Sequence, residues 1–184
     1  VPLARQSWAG QLAAALAAIG MPVDLQRPRP LELQQLRQRA LHHHLAEVRA
    51  AAGRPTASKL AYYVHEVWGG RLPTVEEYAP AAYLGAVRQR ARRAALAQLR
   101  TGSHWLAEET GRWVQLRREQ RTCPHCQAGV EDVHHVLFVC PLYTPVRARF
   151  PDLCLAPSVH AFLQRDPVLL SAFAAECQRT HTAA

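Results

Sequence analysis

The sequence predicts a mainly α-helical, irregular domain with one embedded segment rich in cysteine and histidine. Apolar residues recur at helical spacing along most of the chain, and no segment alternates apolar and polar residues clearly enough to form a sheet. Three of the five cysteines cluster between positions 123 and 140. Because nearly half of the 184 residues are hydrophobic, the chain can build one ordinary domain or two small ones.

Residues 1–56 are predicted to form an N-terminal helical segment, to which we assign no function. Ser7 as N-cap and Gly20 as terminator bracket a short alanine-rich helix. Three prolines between residues 22 and 30 predict a loop, and leucines at helical spacing then predict a second helix. The consecutive histidines 42–44 lie in this helix. Successive helical residues point in different directions, so these histidines cannot converge on one metal ion.

Residues 57–120 are predicted to form a basic helical region. Ser58 is a candidate N-cap of a helix that ends at Gly69-Gly70, and a long helix is predicted from Pro80 to Arg100. Arginine binds phosphate bidentately, so seven arginines on and after this helix are candidate nucleic-acid contacts, the alternative being a solvated helix face. They are Arg88, Arg92, Arg93, Arg100, Arg117, Arg118 and Arg121.

Two tryptophans lie among these arginines. Trp105 and Trp113 have flat faces on which bases can stack. Buried aromatic residues dominate small cores, however, so we expect both tryptophans in the core.

Residues 121–143 are predicted to be a zinc-binding segment with the pattern Cys-x2-Cys-x8-His-x4-Cys. Four residues in this segment are candidate Zn²⁺ ligands: Cys123, Cys126, His135 and Cys140. A Cys3His set is closed and tetrahedral and leaves no position for substrate, which favours a structural ion over a catalytic one. His134 and His125 are alternative histidine ligands, and His135 is preferred for its spacing from the last cysteine.

The surroundings of this segment are predicted to be helical as well. Asp132 is a candidate cap of a short helix that carries His135 and Cys140, and Glu131 or Asp132 is a candidate acceptor for the second ring nitrogen of the histidine. Residues 144–184 are predicted to form C-terminal helices that pack on the zinc segment. Their patterns span residues 143–150, 158–165 and 166–179.

The charge of the chain favours polyanionic partners. The formal net charge is +8 and the isoelectric point is about 9.8. No apolar run approaches the roughly 18–20 residues of a membrane helix, and no secretion signal is evident. We therefore expect an intracellular protein, in the nucleus or cytoplasm, with no membrane partner.

The cysteine segment and two further stretches resemble a known family. CPHCQAGVEDVHHVLFVCPLY, the upstream LAQLRTGSHWLAEETGRW at 96–113 and VHAFLQRDPVLLSAF near the C-terminus are similar to the C-terminal zinc-binding region of non-LTR (LINE-type) retrotransposon reverse transcriptases. The likeness covers about residues 59–179. It implies a CCHC module that binds element RNA or target DNA beside the upstream polymerase domain of the same polyprotein. The gap between the second cysteine and the histidine is longer than in retroviral knuckles.

No catalytic activity is expected of this chain itself. It lacks the paired aspartates of the polymerase, an endonuclease block, and the clustered carboxylates that two-metal nuclease chemistry needs. The parent polyprotein implied by the resemblance is an RNA-directed DNA polymerase. The alternative functions are a zinc-stapled protein-interaction or scaffold module of that polymerase, or a decayed retrotransposon fragment.

Overall fold

The computed structural model describes residues 7–21, 30–52, 59–74, 76–77 and 79–184. Within these ranges the protein is mainly α-helical and contains no β-strand, which confirms the predicted fold class. The only β-type backbone pairing in these ranges is an isolated antiparallel bridge between Thr122 and Val130. None of the helices in these ranges has the length and apolar character needed to cross a bilayer.

The chain divides into two compact units. Unit 1 comprises Val1–Arg54 and Leu72–Tyr78, and unit 2 comprises Pro55–Arg71 and Ala79–Ala184. Unit 2 therefore contains the cysteine segment, most of the basic region before it and all helices after it.

Unit 1 contains helices α1 (Trp8–Ala18) and α2 (Pro30–Ala52). Ser7 is the N-cap of α1, as predicted, because its hydroxyl accepts a 3.0 Å hydrogen bond from the Gly10 amide. The Arg39 guanidinium on α2 donates to the Gly20 carbonyl at 3.0 Å.

The histidines 42–44 on α2 are exposed, and among the described residues they join no group able to hold a metal ion. Residues 22–29 of the predicted loop and the candidate cap Ser58 lie outside the described residues.

Unit 2 begins with α3 (Lys59–Tyr62), which continues as a π-helical turn over Tyr63–Val67. This helix ends as predicted, because Gly69 and Gly70 adopt φ values of 66° and 81° that favour glycine.

The predicted long helix from Pro80 to Arg100 is wrong, since the structure divides it into α4 (Tyr83–Ala86) and α5 (Arg90–Thr101). Val87 between them is extended, at φ −95° and ψ 101°, and is buried. The guanidinium of Arg93 donates to the Val87 carbonyl at 3.1 Å. This bond gives the carbonyl at the break a hydrogen-bond partner. The helix therefore breaks at a buried, extended residue, and the arginines on either side of Val87 do not lie on one continuous helix.

The remaining elements are short until the C-terminal helix. They are α6 (Ala107–Trp113), a 3₁₀ turn (Arg118–Gln120), a π-helical turn (His135–Val139), a second 3₁₀ turn (Pro141–Tyr143), α7 (Thr144–Arg149), α8 (Pro151–Cys154), α9 (Val159–Leu163) and α10 (Pro167–Ala183). Ser158 and Asp166 cap the last two helices: the Ser158 hydroxyl accepts from the Ala161 amide, and the Asp166 carboxylate accepts from the amides of Val168 and Leu169. The predicted C-terminal helical patterns correspond to α7, α9 and α10.

The core of unit 2 forms where α10 packs against α5. Phe173 of α10 contacts the rings of Phe150 and Phe162 edge to face, with centroids 5.6 and 5.3 Å away. Cys123 and Cys140 are fully buried in the same apolar cluster. The cysteine segment is therefore part of the core of unit 2 and not a separate surface loop.

Candidate metal centre

The first two cysteines lie in a tight hairpin held by backbone hydrogen bonds. The Cys123 amide donates to the Gly129 carbonyl at 2.9 Å, and the Gln127 amide donates to the Cys123 carbonyl at 3.0 Å. Gln127 and Gly129 have positive φ values of 55° and 133°, which turn the chain sharply. This turn brings Cys126 beside Cys123.

The histidine and the last cysteine come from the adjacent π-helical turn. The Asp132 carboxylate accepts a 2.9 Å hydrogen bond from the His135 amide at the start of this turn, as predicted. The Cys140 amide donates to the His135 carbonyl at 2.8 Å. This i+5 bond places the two side chains one wide turn apart, which explains the spacing of four residues between them.

The structure brings the four predicted ligands together. The Sγ atoms of Cys123, Cys126 and Cys140 and a ring nitrogen of His135 all lie within 4.8 Å of one another. The Cys123 and Cys140 sulfurs are 3.8 Å apart, and the Cys126 sulfur lies 3.2 Å from His135 Nε2. Tetrahedral zinc with Zn–S bonds of about 2.3 Å needs sulfurs about 3.8 Å apart. The cluster therefore fits a metal ion such as zinc.

The environment of the thiols favours a bound cation. Burial raises the pKa of Cys123 to about 12, although the amides of Cys126 and His125 partly oppose this shift. Burial also raises the pKa of Cys140, whereas the Ala128 amide lowers the pKa of Cys126. Buried thiolates need positive charge nearby, and a metal ion supplies it. Burial lowers the pKa of His135, which keeps its imidazole neutral for ligation.

The other two histidines of the segment lie elsewhere. His134 is exposed and contacts the Phe138 ring, with centroids 5.0 Å apart. His125 lies against His181 at the end of α10, with ring centroids 5.0 Å apart. Neither belongs to the group of four ligand atoms.

A layer of polar contacts surrounds the cluster. Glu131 is buried, with one carboxylate oxygen accepting from the Ala107 amide at 2.8 Å and the other 3.8 Å from the Cys123 sulfur. Burial alone raises the pKa of Glu131, but the close His181 ring and the Ala107 amide outweigh it and lower the pKa. The Asp132 carboxylate bonds to Arg118 at 2.8 Å as well as to the His135 amide. Both carboxylates predicted as acceptors for the His135 ring are thus engaged with other groups.

Arg147 of α7 satisfies two carbonyls of the ligand-bearing turn. Its guanidinium donates to the Val136 carbonyl at 2.9 Å and to the Cys140 carbonyl at 2.8 Å. We expect Arg147→Met to lower the free energy of unfolding by about 1.5–3 kcal/mol, because two carbonyls lose charge-assisted bonds. Urea unfolding of chain purified with zinc in the buffers measures this change.

Arg165→Met is the matched control, because the Arg165 side chain is exposed to solvent. Its loss should cost less than about 1 kcal/mol. Equal effects of the two substitutions would show that the Arg147 bonds do not support this turn.

The structure separates the seven arginines predicted to contact nucleic acid. Arg88 and Arg117 are exposed, and Arg92 is half-buried. The other four bond to the protein itself. Arg93 bonds to the Val87 carbonyl, Arg100 to the Leu163 carbonyl, Arg118 to Glu108 and Asp132, and Arg121 to the carbonyls of Leu116 and Glu108.

The two tryptophans also differ. Trp105 packs against the core, as expected. Trp113 at the end of α6 is 72 % exposed, so its predicted core position is wrong. Val114 and Leu116 beside it are exposed too, and this apolar group lines a shallow groove together with Arg121. The connection between α6 and the cysteine segment therefore exposes apolar side chains to solvent.

One residue that lies close to the four ligands, His181, could not be predicted from the sequence. His181 lies far along the chain from the cysteines, and no motif links them. Only the packing of α10 on unit 2 brings its ring to His125 and Glu131.

Comparison with known proteins identifies no relative. No protein-family model, curated protein or solved structure matches the chain.

Proposed function

We propose that the chain is a zinc-organised module that binds nucleic acid and has no catalytic activity of its own. Cys123, Cys126, His135 and Cys140 hold one structural Zn²⁺ ion. The donor set and the spacing of the sulfurs support this assignment, because they match a closed tetrahedral site.

One observation carries the proposal of nucleic-acid binding: the largely exposed ring of Trp113 lies in a groove walled by Arg121. A flat aromatic ring beside a cationic side chain is the arrangement that binds bases and phosphates of a single strand.

The arginines at the start of α5 support the proposal independently. Arg90 and Arg92 occupy the first turn of this helix, where the N-terminal backbone amides already present positive charge. The first turn of α5 contains no acidic residue. Cations at this end destabilise a helix in the absence of a partner, whereas a phosphate accepts from both the amides and the guanidinium groups.

From the motif resemblance alone we further propose that this function belongs to a retrotransposon reverse transcriptase. In that setting element RNA or target DNA is the ligand, and the upstream polymerase domain is the partner within an intracellular polyprotein. This assignment rests on the residues of the cysteine segment and its flanking stretches.

Salt titrations with labelled single- and double-stranded RNA and DNA of equal length test the binding function. A variant with Arg88, Arg92 and Arg117 changed to Gln should bind every form more weakly. The slope of log K against log salt should decrease by about 0.7–0.9 per lost contact. Trp113→Ala should weaken binding to single strands roughly 5- to 150-fold, because one stacked base contributes about 1–3 kcal/mol to the binding free energy. That variant should leave the slope unchanged.

Arg165→Gln is the matched control, because Arg165 is exposed and is not one of the predicted contacts. It should leave the affinity of the chain nearly unchanged. If it weakens binding as much as the loss of one predicted contact does, binding by the arginines reflects net charge alone, and the role of the groove then rests on the effect of Trp113→Ala. If no nucleic acid binds the zinc-loaded chain, the exposed apolar group at Trp113 is a protein contact and the scaffold function replaces this proposal.

A further inference from the structure

A second group of metal-binding side chains lies next to the four predicted ligands. One ligand atom each from His125, Glu131 and His181 lies within 4.8 Å of the other two. His125 comes from the cysteine hairpin, Glu131 follows it, and His181 lies in the last turn of α10. Two parts of the chain that are distant in sequence thus converge at one point.

One ring nitrogen of this group has no hydrogen-bond partner. His125 Nε2 is buried and makes no hydrogen bond in the structure. His181 Nε2 faces a Glu131 carboxylate oxygen at 3.1 Å, so that His125 is the member of the group left without a polar contact at this atom. A buried polar atom without a partner costs about 1–3 kcal/mol. A metal ion between these atoms removes that cost because it takes the nitrogen lone pairs directly.

The distances suit a small dication after a modest adjustment. Zinc with bonds of about 2.0–2.2 Å to nitrogen and oxygen keeps its ligand atoms roughly 3.3 Å apart. His181 Nε2 and the Glu131 carboxylate oxygen are already 3.1 Å apart, which is close to this value. His125 is half-buried in a turn, and its ring closes the site by moving about 1.5 Å at most.

The local charge also favours a second cation. Three thiolates, one neutral imidazole and one Zn²⁺ ion leave a net negative charge on the first site. The buried Glu131 carboxylate, whose oxygen lies 3.8 Å from the Cys123 sulfur, adds another. Two adjacent buried negative charges are costly unless a cation lies between or beside them.

We propose that His125, Glu131 and His181 bind a second divalent cation, for which Zn²⁺ is the best fit. Two histidines and one glutamate leave at least one coordination position open to water, unlike the closed Cys3His site. Because His125 lies between the two cysteines of the hairpin, the second site forms only after the first ion has closed that hairpin. The second ion then ties the last turn of α10 to the cysteine segment.

Cobalt(II) titration of the metal-free full chain distinguishes the two sites. Cobalt bound by thiolates has an intense sulfur-to-metal charge-transfer band, whereas cobalt bound by nitrogen and oxygen has only weak ligand-field absorption. We expect the first equivalent to produce the whole charge-transfer band. A second equivalent should then add ligand-field absorption without increasing that band.

His125→Gln and His181→Gln should each bind one equivalent and keep the full charge-transfer band. His134→Gln is the matched control, because His134 is exposed in the same segment, and it should bind two equivalents. The retained band reports that the first site and its fold are intact. The proposal is overturned if the wild-type chain binds a single equivalent, or if both variants still bind two. It is also overturned if both variants lose the charge-transfer band together with the second equivalent.

Discussion

Replacing Cys123 or Cys140 by serine should abolish zinc binding and unfold unit 2. Zinc sites of this size have an apparent binding free energy of about 10–16 kcal/mol, whereas a whole domain is stable by about 5–15 kcal/mol. Both cysteines are fully buried in the core of unit 2, so the loss of the ion extends beyond the hairpin. Zinc content by metal analysis and amide hydrogen exchange along unit 2 measure the two effects.

Cys154→Ser is the matched control, since Cys154 is half-buried and lies outside the group of ligand atoms. It should keep one zinc ion in the Cys3His site and change stability only slightly. Full occupancy of that site in Cys123→Ser and Cys140→Ser would contradict the ligand assignment.

The two adjacent histidines provide a second comparison. His135→Gln should lose the ion as the cysteine variants do, because its Nε2 lies 3.2 Å from the Cys126 sulfur inside the cluster. His134→Gln should have a mild effect, because His134 is exposed, contacts the Phe138 ring and is not one of the four clustered ligands. A reversed order would exchange the roles of the two residues.

Features that depend on neighbouring residues could be predicted from the sequence. Ser7 caps α1 through the Gly10 amide, and Asp132 caps the turn that carries His135. The grouping of the four ligands could be predicted for the same reason. Two pairs of ligands at short spacing need only a tight hairpin and one helical turn to converge.

Features decided by long-range packing could not be predicted. The apolar spacing from residue 80 to 100 is continuous, but the helix breaks at Val87, which is extended and buried and whose carbonyl accepts from Arg93. Trp113 is a large aromatic residue of the kind that usually lies in a core, but the structure leaves its side chain largely exposed to solvent. His181 reaches the cysteine hairpin only through the packing of α10, which no local pattern contains.

The packing of α10 leads to the second large effect: Phe173→Ala should destabilise the whole of unit 2 by about 3–5 kcal/mol. Phe173 is fully buried between Phe150 and Phe162, and its removal leaves a cavity. Because Phe173, Cys123 and Cys140 belong to one apolar cluster, zinc release and helix opening should occur in a single transition. A chromophoric chelator follows zinc release in urea, and hydrogen exchange of α5 and α10 follows the helices.

Both measurements should shift to lower urea by the same amount in Phe173→Ala, while zinc stays bound in the absence of urea because no ligand has been removed. Leu169→Ala on the same helix is the control, since Leu169 is 47 % exposed and its loss leaves little cavity. The alternative is a zinc segment that folds as an independent miniature domain. In that case the urea midpoint of zinc release would stay at its wild-type value, whereas the helices would open at a lower urea concentration. If zinc release and helix opening instead occur at the same urea concentration in the variant, zinc binding and the folding of the helical core are coupled. The ion then stabilises the core, and the folded core is needed to hold the ion.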